Sequence, residues 1–359
     1  MALSDGLTGR EHVQTAAVDA TTSEFRALAI KIRDAGLLER RLGYYSVKIG
    51  LTVAVFAAGW AALVIVGNSW ATLGVAAFLG VMFTQLGFLG HDAGHQQVFR
   101  SRRANRLLGL TVGNALIGVC FGWWVPKHNA HHAHPNQVDR DPDMGEGFIA
   151  FGSADVQAGG RHILARMLAR WQGQLFFPLM LFRSLGLHVS GIQKLIRQRD
   201  RAAALEGSLI TLNLAIYLTA LFWVLSPVKA LAFIGVQQGL FSLYLGCSFA
   251  PNHKGMPVID GDAQMGFARR QVITARNVTG GRFVDLMLGG LNYQIEHHLF
   301  PTMPRPNLAR AQGIVRAFCI ESGLGYCEES LLKSYRQTVR HVRGVATPGA
   351  LVPSGAAAR

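Results

Sequence analysis

Apolar residues along this chain gather in long unbroken blocks. Residues 47–66 (VKIGLTVAVFAAGWAALVIV) and 71–90 (ATLGVAAFLGVMFTQLGFLG) are each long enough to cross roughly 30 Å of hydrocarbon as helices. Residues 207–225 (GSLITLNLAIYLTALFWVL) and 230–250 (ALAFIGVQQGLFSLYLGCSFA) form a second such pair. The short connections GNSW and SPVK make each pair a hairpin. Polar faces are nearly absent from the four blocks, which argues against a soluble bundle. Residues 107–124 are borderline in length and contain Asn114, and residues 175–182 (LFFPLMLF) are too short to span. Both are expected to be re-entrant or interfacial. Residues 25–46 pattern as an amphipathic helix lying on the membrane surface. A cap is expected past Pro301, with Ile314, Val315, Phe318, Cys319, Leu331 and Leu332 on short helices. Residues 1–24 and 341–359 read as disordered tails around one membrane domain, 25–340.

Charge refines this picture. Of 359 residues half are hydrophobic, yet the net charge is +14. The stretch from His91 to Glu206 holds fourteen Lys and Arg, whereas Lys229 is the only basic residue in the two short connections. That asymmetry follows the positive-inside rule and contact with anionic headgroups rather than nucleic-acid binding. It predicts an inner or plasma membrane location, with both termini and the active site on the cytoplasmic face. The first 24 residues contain no short apolar run with a cleavage site, so no signal peptide is expected. Cys120, Cys247, Cys319 and Cys327 have no CxxC or disulfide-framework spacing, which fits a reducing compartment.

Seven of the thirteen histidines fall in three clusters. HDAGH supplies His91 and His95, HNAHH supplies His128, His131 and His132, and QIEHH supplies His297 and His298 after Gln294. Spacings of three and four residues put side chains on one helical face. Imidazole suits first-row metals, and seven donors exceed what one ion needs, so two metals are implied. Topology tests the idea. A non-crossing 107–124 segment keeps the first two clusters on one face, and the second hairpin returns the third to it. His253, just past the fourth block, also lands on that face. His134 lies off the ligand face, and Asp92 and Glu296 are expected to orient ligand imidazoles as acceptors. His12, His162, His188 and His341 have no metal-binding neighbours in the sequence.

The runs HDAGH, GWWVPKHNAHHAHPNQVDRDPD and LNYQIEHHLFPTMPRPN resemble the three histidine boxes of integral-membrane fatty acid desaturases. The likeness extends to Trp123, Trp124, Pro135, Asn136, the Asp141-Pro142-Asp143 run and the LFPTMPR tail, over about residues 45–310. Gln294 at the head of the third box resembles the front-end branch and related bacterial acyl desaturases. The stearoyl-CoA branch has His at that position, which leaves Gln294 open as an iron ligand. The resemblance implies His253 as an eighth ligand, with Asn252 as a candidate neighbour supporting the site. It also implies an all-α membrane protein with a cytoplasmic cap carrying a non-haem di-iron centre.

The same resemblance implies the chemistry. Two iron ions, O₂ as co-substrate and two external electrons would convert adjacent methylenes of a fatty acyl-CoA or acyl-lipid into a cis double bond. Front-end desaturases often carry a fused cytochrome b5 domain with an HPGG motif, and this sequence has none. Electrons are therefore expected from a separate donor: a ferredoxin, cytochrome b5 or a flavin/iron-sulfur reductase. No acidic or basic side chain breaks an unactivated C–H bond, so a metal is needed. The apolar helices would enclose the acyl chain in a dry tunnel, with Trp123 and Trp124 lining it or anchoring at the interface. A lipid hydroxylase on the same scaffold is the near alternative. A membrane metal carrier is the distant one; it would need polar residues inside the spans, where Gln85, Gln237 and Gln238 are the main candidates.

Overall fold

The computed structural model describes residues 23–144 and 171–345. Residues 23–34 form helix α1, followed by α2 (Leu42–Val66) and α3 (Thr72–Gly94). After α4 (Arg102–Gly109), a π-helical stretch (Leu110–Leu116) leads to α5 (Phe121–Ala133). Then come α6 (Phe176–Met180), α7 (Arg183–Arg197), α8 (Arg201–Val224) and α9 (Pro227–His253). Among the described residues, helices α2, α3, α8 and α9 are each long and apolar enough to cross a membrane. Each matches an expected block and overruns it. The overrun places His91 in the last turn of α3 and His253 at the end of α9.

The spans do not pack simply as two hairpins. Helix α2 lies on α3, but the main partner of α3 is α9, while α8 packs on the π-helical stretch and α7. Glycine permits the α3–α9 approach. A Cβ at Gly80 would lie 2.8 Å from the Gln237 carbonyl oxygen, inside van der Waals contact. Outward residues such as Ile65 and Trp223 stay at least 80% exposed, which suits hydrocarbon rather than water.

Residues 102–133 bend by 116° between the π-helical stretch and α5. Gly118, at φ +71°, makes the turn. A buried carboxylate on α8 then holds the new helix start: Glu206 accepts from the Gly122 amide (2.8 Å) and from Asn114 Nδ2 (3.2 Å). The Cys120 N-cap offers no side-chain acceptor of its own, so Glu206 takes that role near the positive end of the helix. Asn114, the polar residue that made 107–124 look unlike a span, also accepts from the Phe121 amide. The short run 175–182 falls on α6 and the turn before α7, whose residues Leu185, Ile192 and Ile196 are exposed.

The expectation for residues 25–46 needs correction. They are not one surface helix, because α1 ends before Gly36, which adopts φ +66°. Its apolar stripe also faces inward: Leu28 and Ile32, with Leu37 after the turn, pack against Ile295, Leu299 and Leu308. Asn307 Nδ2 donates to the Leu37 carbonyl (2.7 Å) and fixes that turn.

Beyond α9 lie α10 (Phe267–Ile273), β1 (Asn277–Thr279), α11 (Gly281–Met287), α12 (Gln294–Leu299), α13 (Arg305–Glu321), β2 (Glu328–Ser330) and α14 (Leu331–Val345). Strands β1 and β2 pair in parallel, Asn277 opposite Glu328, a small departure from the all-helical expectation. Val315, Phe318 and Cys319 are buried as expected, but Leu332 is exposed. Helix α14 carries residues 341–345, so the tail expected from 341 is helical there. Residues 23 and 24 likewise belong to α1. The remainder of both expected tails, and residues 145–170 with His162, lie outside the described residues.

Helix α3 closes with Gln97 N donating to Asp92 O (2.9 Å) and Gln96 N to Ala93 O (3.0 Å). This Schellman arrangement puts Gln96 at φ 57°, where a Cβ is unfavourable. Gln96→Gly is expected to stabilise the protein by about 0.5–1 kcal/mol, less than the relieved strain because glycine loses more chain entropy. Thermal unfolding in detergent micelles checks this, and an unchanged or lower midpoint would contradict it.

Candidate metal centre

Helices α5 and α12 converge on the ends of α3 and α9. Their imidazoles sort into two sets of ring nitrogens, each set lying within 4.8 Å of one another: His91, His95, His128, His132 and His297, and then His131, His253 and His298. All eight are buried. The boxes therefore do not each serve one metal. Helix α5 sends His128 and His132 to the first set and His131 to the second, because residues one apart point about 100° apart around a helix. His297 and His298 on α12 divide in the same way. The sets adjoin, with the rings of His132 and His298 stacked at 4.1 Å.

Hydrogen bonds orient the second set. His131 Nδ1 faces the Asp141 carboxylate at 2.9 Å, His253 Nδ1 the Thr274 carbonyl at 2.9 Å, and His298 Nδ1 the Gln271 amide oxygen at 2.9 Å. Each partner is an acceptor, so each Nδ1 carries the proton and Nε2 keeps a free lone pair. Gln271 also donates to the His132 carbonyl (2.9 Å), tying α10 to α5. In the first set His128 Nε2 lies 3.1 Å from His91 Nε2 and 3.2 Å from His132 Nε2. Among the described residues His95 Nε2, His298 Nε2 and both His297 nitrogens have no hydrogen-bond partner. Buried lone pairs converging without donors between them are costly unless a cation is shared. The donor sets thus fit first-row metal ions, one per set.

Electrostatics agree. Burial pushes the imidazoles of His95, His128, His132, His297 and His298 below their ordinary pKa, toward the neutral form a metal needs. His131 is the exception. Burial acts on it the same way, but the Asp141 carboxylate, and then Asp143, outweigh burial and raise it.

The supporting residues differ from expectation in several places. Asp92 does not act as a hydrogen-bond acceptor for an imidazole: its Oδ2 pairs with Arg305 Nη2 at 2.7 Å, and His91 Nδ1 is 3.7 Å from Oδ1. Glu296 turns into the cap, accepting from Tyr326 OH (2.7 Å) and Asn277 Nδ2 (2.8 Å), and burial pushes its carboxyl up to about 7. His134 pairs with Gln137 and joins neither set. Gln294 does reach the second set, its amide nitrogen 2.9 Å from His253 Nε2. Asn252 Nδ2 donates to Gln294 Oε1 at 3.1 Å, which fits a supporting role.

Sequence reasoning passed over Gln271, a lone glutamine in FARRQVI with no motif to flag it. It also passed over Arg276, a fully buried guanidinium that donates to the Pro251 and Lys254 carbonyls at the end of α9 and so braces His253. Asp141 sat in the quoted DPD run, but only contact geometry gives it the His131 imidazole.

A cavity of about 200 Å³ opens beside the histidines. Trp124 lines it, stacked on His128 at 4.5 Å and 19°. Trp123 does not; it lines a separate cavity of about 410 Å³ on the other side of α5, as adjacent helical residues must diverge. The charged side chains of Lys127, Asp143, Arg183 and Lys254 bound the first cavity, and Asp143 lies 3.8 Å from His131. Lys127 pairs with Asp143, and Lys254 donates to its carbonyl. Away from the histidines the wall is apolar, with Phe241 and Leu245, and Phe249 lies beside His91 at 6.2 Å between ring centroids.

Several similar proteins are named as fatty acid desaturases. Residues 68–330 match the fatty acid desaturase family. The chain is 32% identical to an acyl-lipid (9-3)-desaturase of Physcomitrium patens over 91% of its length. It is 28% identical to a delta(8)-fatty-acid desaturase of Arabidopsis thaliana over 93%, and 30% identical to a delta(6)-fatty-acid desaturase of Caenorhabditis elegans over 90%. The alignment spans 63% of the moss protein, less than two thirds of it, and 77% and 74% of the other two. With the family match covering most of the chain and the paired histidine sets in place, the chain belongs to the fatty acid desaturase family.

Proposed function

We propose that this protein introduces a cis double bond into a membrane-borne fatty acyl chain at two irons held by the paired histidine sets. The observation that carries the reading is eight buried imidazoles in two adjoining sets, four of which (His91, His128, His131 and His253) line a largely apolar cavity. When bound, the irons supply the O₂ chemistry that removes hydrogen from unactivated carbon. Overall, two hydrogens leave adjacent methylenes and O₂ becomes two waters. Of the four electrons O₂ takes up, two come from the acyl chain and two from a donor; we propose a separate ferredoxin, cytochrome b5 or flavin/iron-sulfur reductase.

The chain's own residues do the rest. Asp141, Thr274 and Gln271 hold three imidazoles in the tautomer that presents Nε2. Gln294 is the proposed fourth donor of the second set, its side-chain amide lying 2.9 Å from His253 Nε2; presenting Oε1 there requires the amide to turn by 180° and give up the bond from Asn252 Nδ2. The apolar wall keeps water from the reacting carbons. The bend at residues 116–121 suits a segment that re-enters on the side it left, which supports two hairpin connections in sequence order and a site and cap on one face, proposed to be the cytoplasmic one. Charged residues at the cavity's histidine end support a reading in which the acyl carboxyl end lies close to the metals. That favours double bonds toward the carboxyl end, and two of the relatives are named delta(8)- and delta(6)-fatty-acid desaturases.

Expression in a desaturase-deficient host, with products resolved by gas chromatography–mass spectrometry, tests the reading. A new cis double bond near the carboxyl end is the expected result. Hydroxy-lipid without new unsaturation would instead assign the hydroxylase, and zinc-loaded protein without O₂ uptake would favour the carrier.

A further inference from the structure

We propose that Gly87 sets how much acyl chain the cavity accepts on the methyl side of the histidines; this rests on the desaturase reading above. Helices α3 and α9 both run toward the site and end in histidine ligand candidates, His91 and His253. Positions earlier on either helix therefore lie deeper in the spans. Gly87 is one turn before His91, about 6 Å along the axis, and Leu245 is two turns before His253, about 12 Å. The cavity touches both, and its charged side chains lie at the opposite, histidine end. An acyl chain with its carboxyl end among Lys127, Arg183 and Lys254 would pass the imidazoles and direct its methyl end toward Gly87.

The glycines of this region do different jobs. At Gly80 a Cβ would meet the α9 backbone, and at Gly246 it would meet Met180 Sδ, so those positions serve helix packing. At Gly87 the nearest atom to a Cβ is Leu245 Cδ1, 4.0 Å away, an ordinary contact. Gly186 also has open space, but it lies one turn from Arg183, at the charged end. Gly87 is thus the deep wall position where a side chain fits the protein and occupies only the space the substrate needs.

The test uses the full chain in membranes, presented with acyl substrates that differ stepwise by two carbons. Gly87→Ala and Gly87→Val are compared with Gly74→Val, which adds the same side chain to a lipid-facing position of α3 with nothing within 4 Å. Since each misfitting methylene is worth about 10–200-fold in kcat/KM, Gly87→Val should lower kcat/KM at least about tenfold for the longest substrate relative to the shortest. Gly87→Ala should shift the same ratio less, and Gly74→Val should leave it unchanged. Retained turnover of the shortest substrate reports correct folding, and the alanine variant carries the test if valine does not fold. A chain-length profile in the Gly87 variants parallel to wild type, or an equal shift in Gly74→Val, would overturn the proposal. Absence of product from the unmodified chain with every substrate would overturn the desaturase reading itself, and the proposal with it.

Discussion

Alanine at His298 is expected to cut turnover to below about one hundredth of wild type and to halve the bound iron. The reasoning starts from the hydrogen-bonded support. Losing a group that merely orients a ligand costs about 10–100-fold, so losing the ligand itself should cost at least the upper end. His298 sits in the smaller set, with His131 and His253, where it is one of three imidazoles. His297→Ala strikes the other set, in which four imidazoles remain, so iron should fall less there while activity still fails. Gln271→Ala, which removes the acceptor for His298 Nδ1, should lose activity by the smaller factor and keep most of the iron. His134→Ala serves as control, since that ring belongs to neither set. Metal analysis on purified protein with a parallel turnover assay reads all four. Full iron and full activity in His298→Ala would remove it from the ligand set, and equal iron loss in both box-three variants would argue against two separable sites.

The spans were legible in the sequence because an unbroken apolar run of about twenty residues has few other uses. Seven of the eight imidazoles were legible because histidine is rare enough for three tight clusters to stand out, while His253, outside the clusters, was legible only through the family resemblance. Their division between two sets was not. It depends on where each helix axis points at the site, and adjacent residues such as His131 and His132 diverge only once α5 is placed. Residues 25–46 failed for a related reason. An amphipathic stripe says that something covers it, not what, and the cap core rather than lipid covers Leu28 and Ile32. Asp92 and Glu296 misled because sequence adjacency to a ligand is no guide to side-chain direction. Their partners, Arg305 and Tyr326, lie 213 and 30 residues away.

Breaking the Asp92–Arg305 pair is expected to destabilise the protein by about 3–5 kcal/mol, the second large effect. Both side chains are at least nine-tenths buried, with Nη2 to Oδ2 at 2.7 Å. Burial alone would lower the Arg305 pKa, but the Asp92 carboxylate more than offsets that and keeps the guanidinium charged. Asp92→Ala therefore leaves a buried cation with only the Phe88 carbonyl, 2.8 Å away, as a strong acceptor. The same bond joins α13 to α3 one residue from His91, and the Arg305 backbone amide donates to Tyr45 OH on α2 (3.2 Å). Loss of the carboxylate should thus loosen the approach of the third box to the first. Replacing both partners with apolar residues of similar volume, Asp92→Leu with Arg305→Met, should recover most of the stability, because no charge is left buried. Unfolding of iron-free protein in mixed micelles separates this packing effect from metal binding. A loss below about 1 kcal/mol in Asp92→Ala would mean that water or lipid headgroups reach Arg305 once the carboxylate is gone. A double variant no more stable than Asp92→Ala would show that the pair's geometry, rather than its charge balance, joins the two boxes.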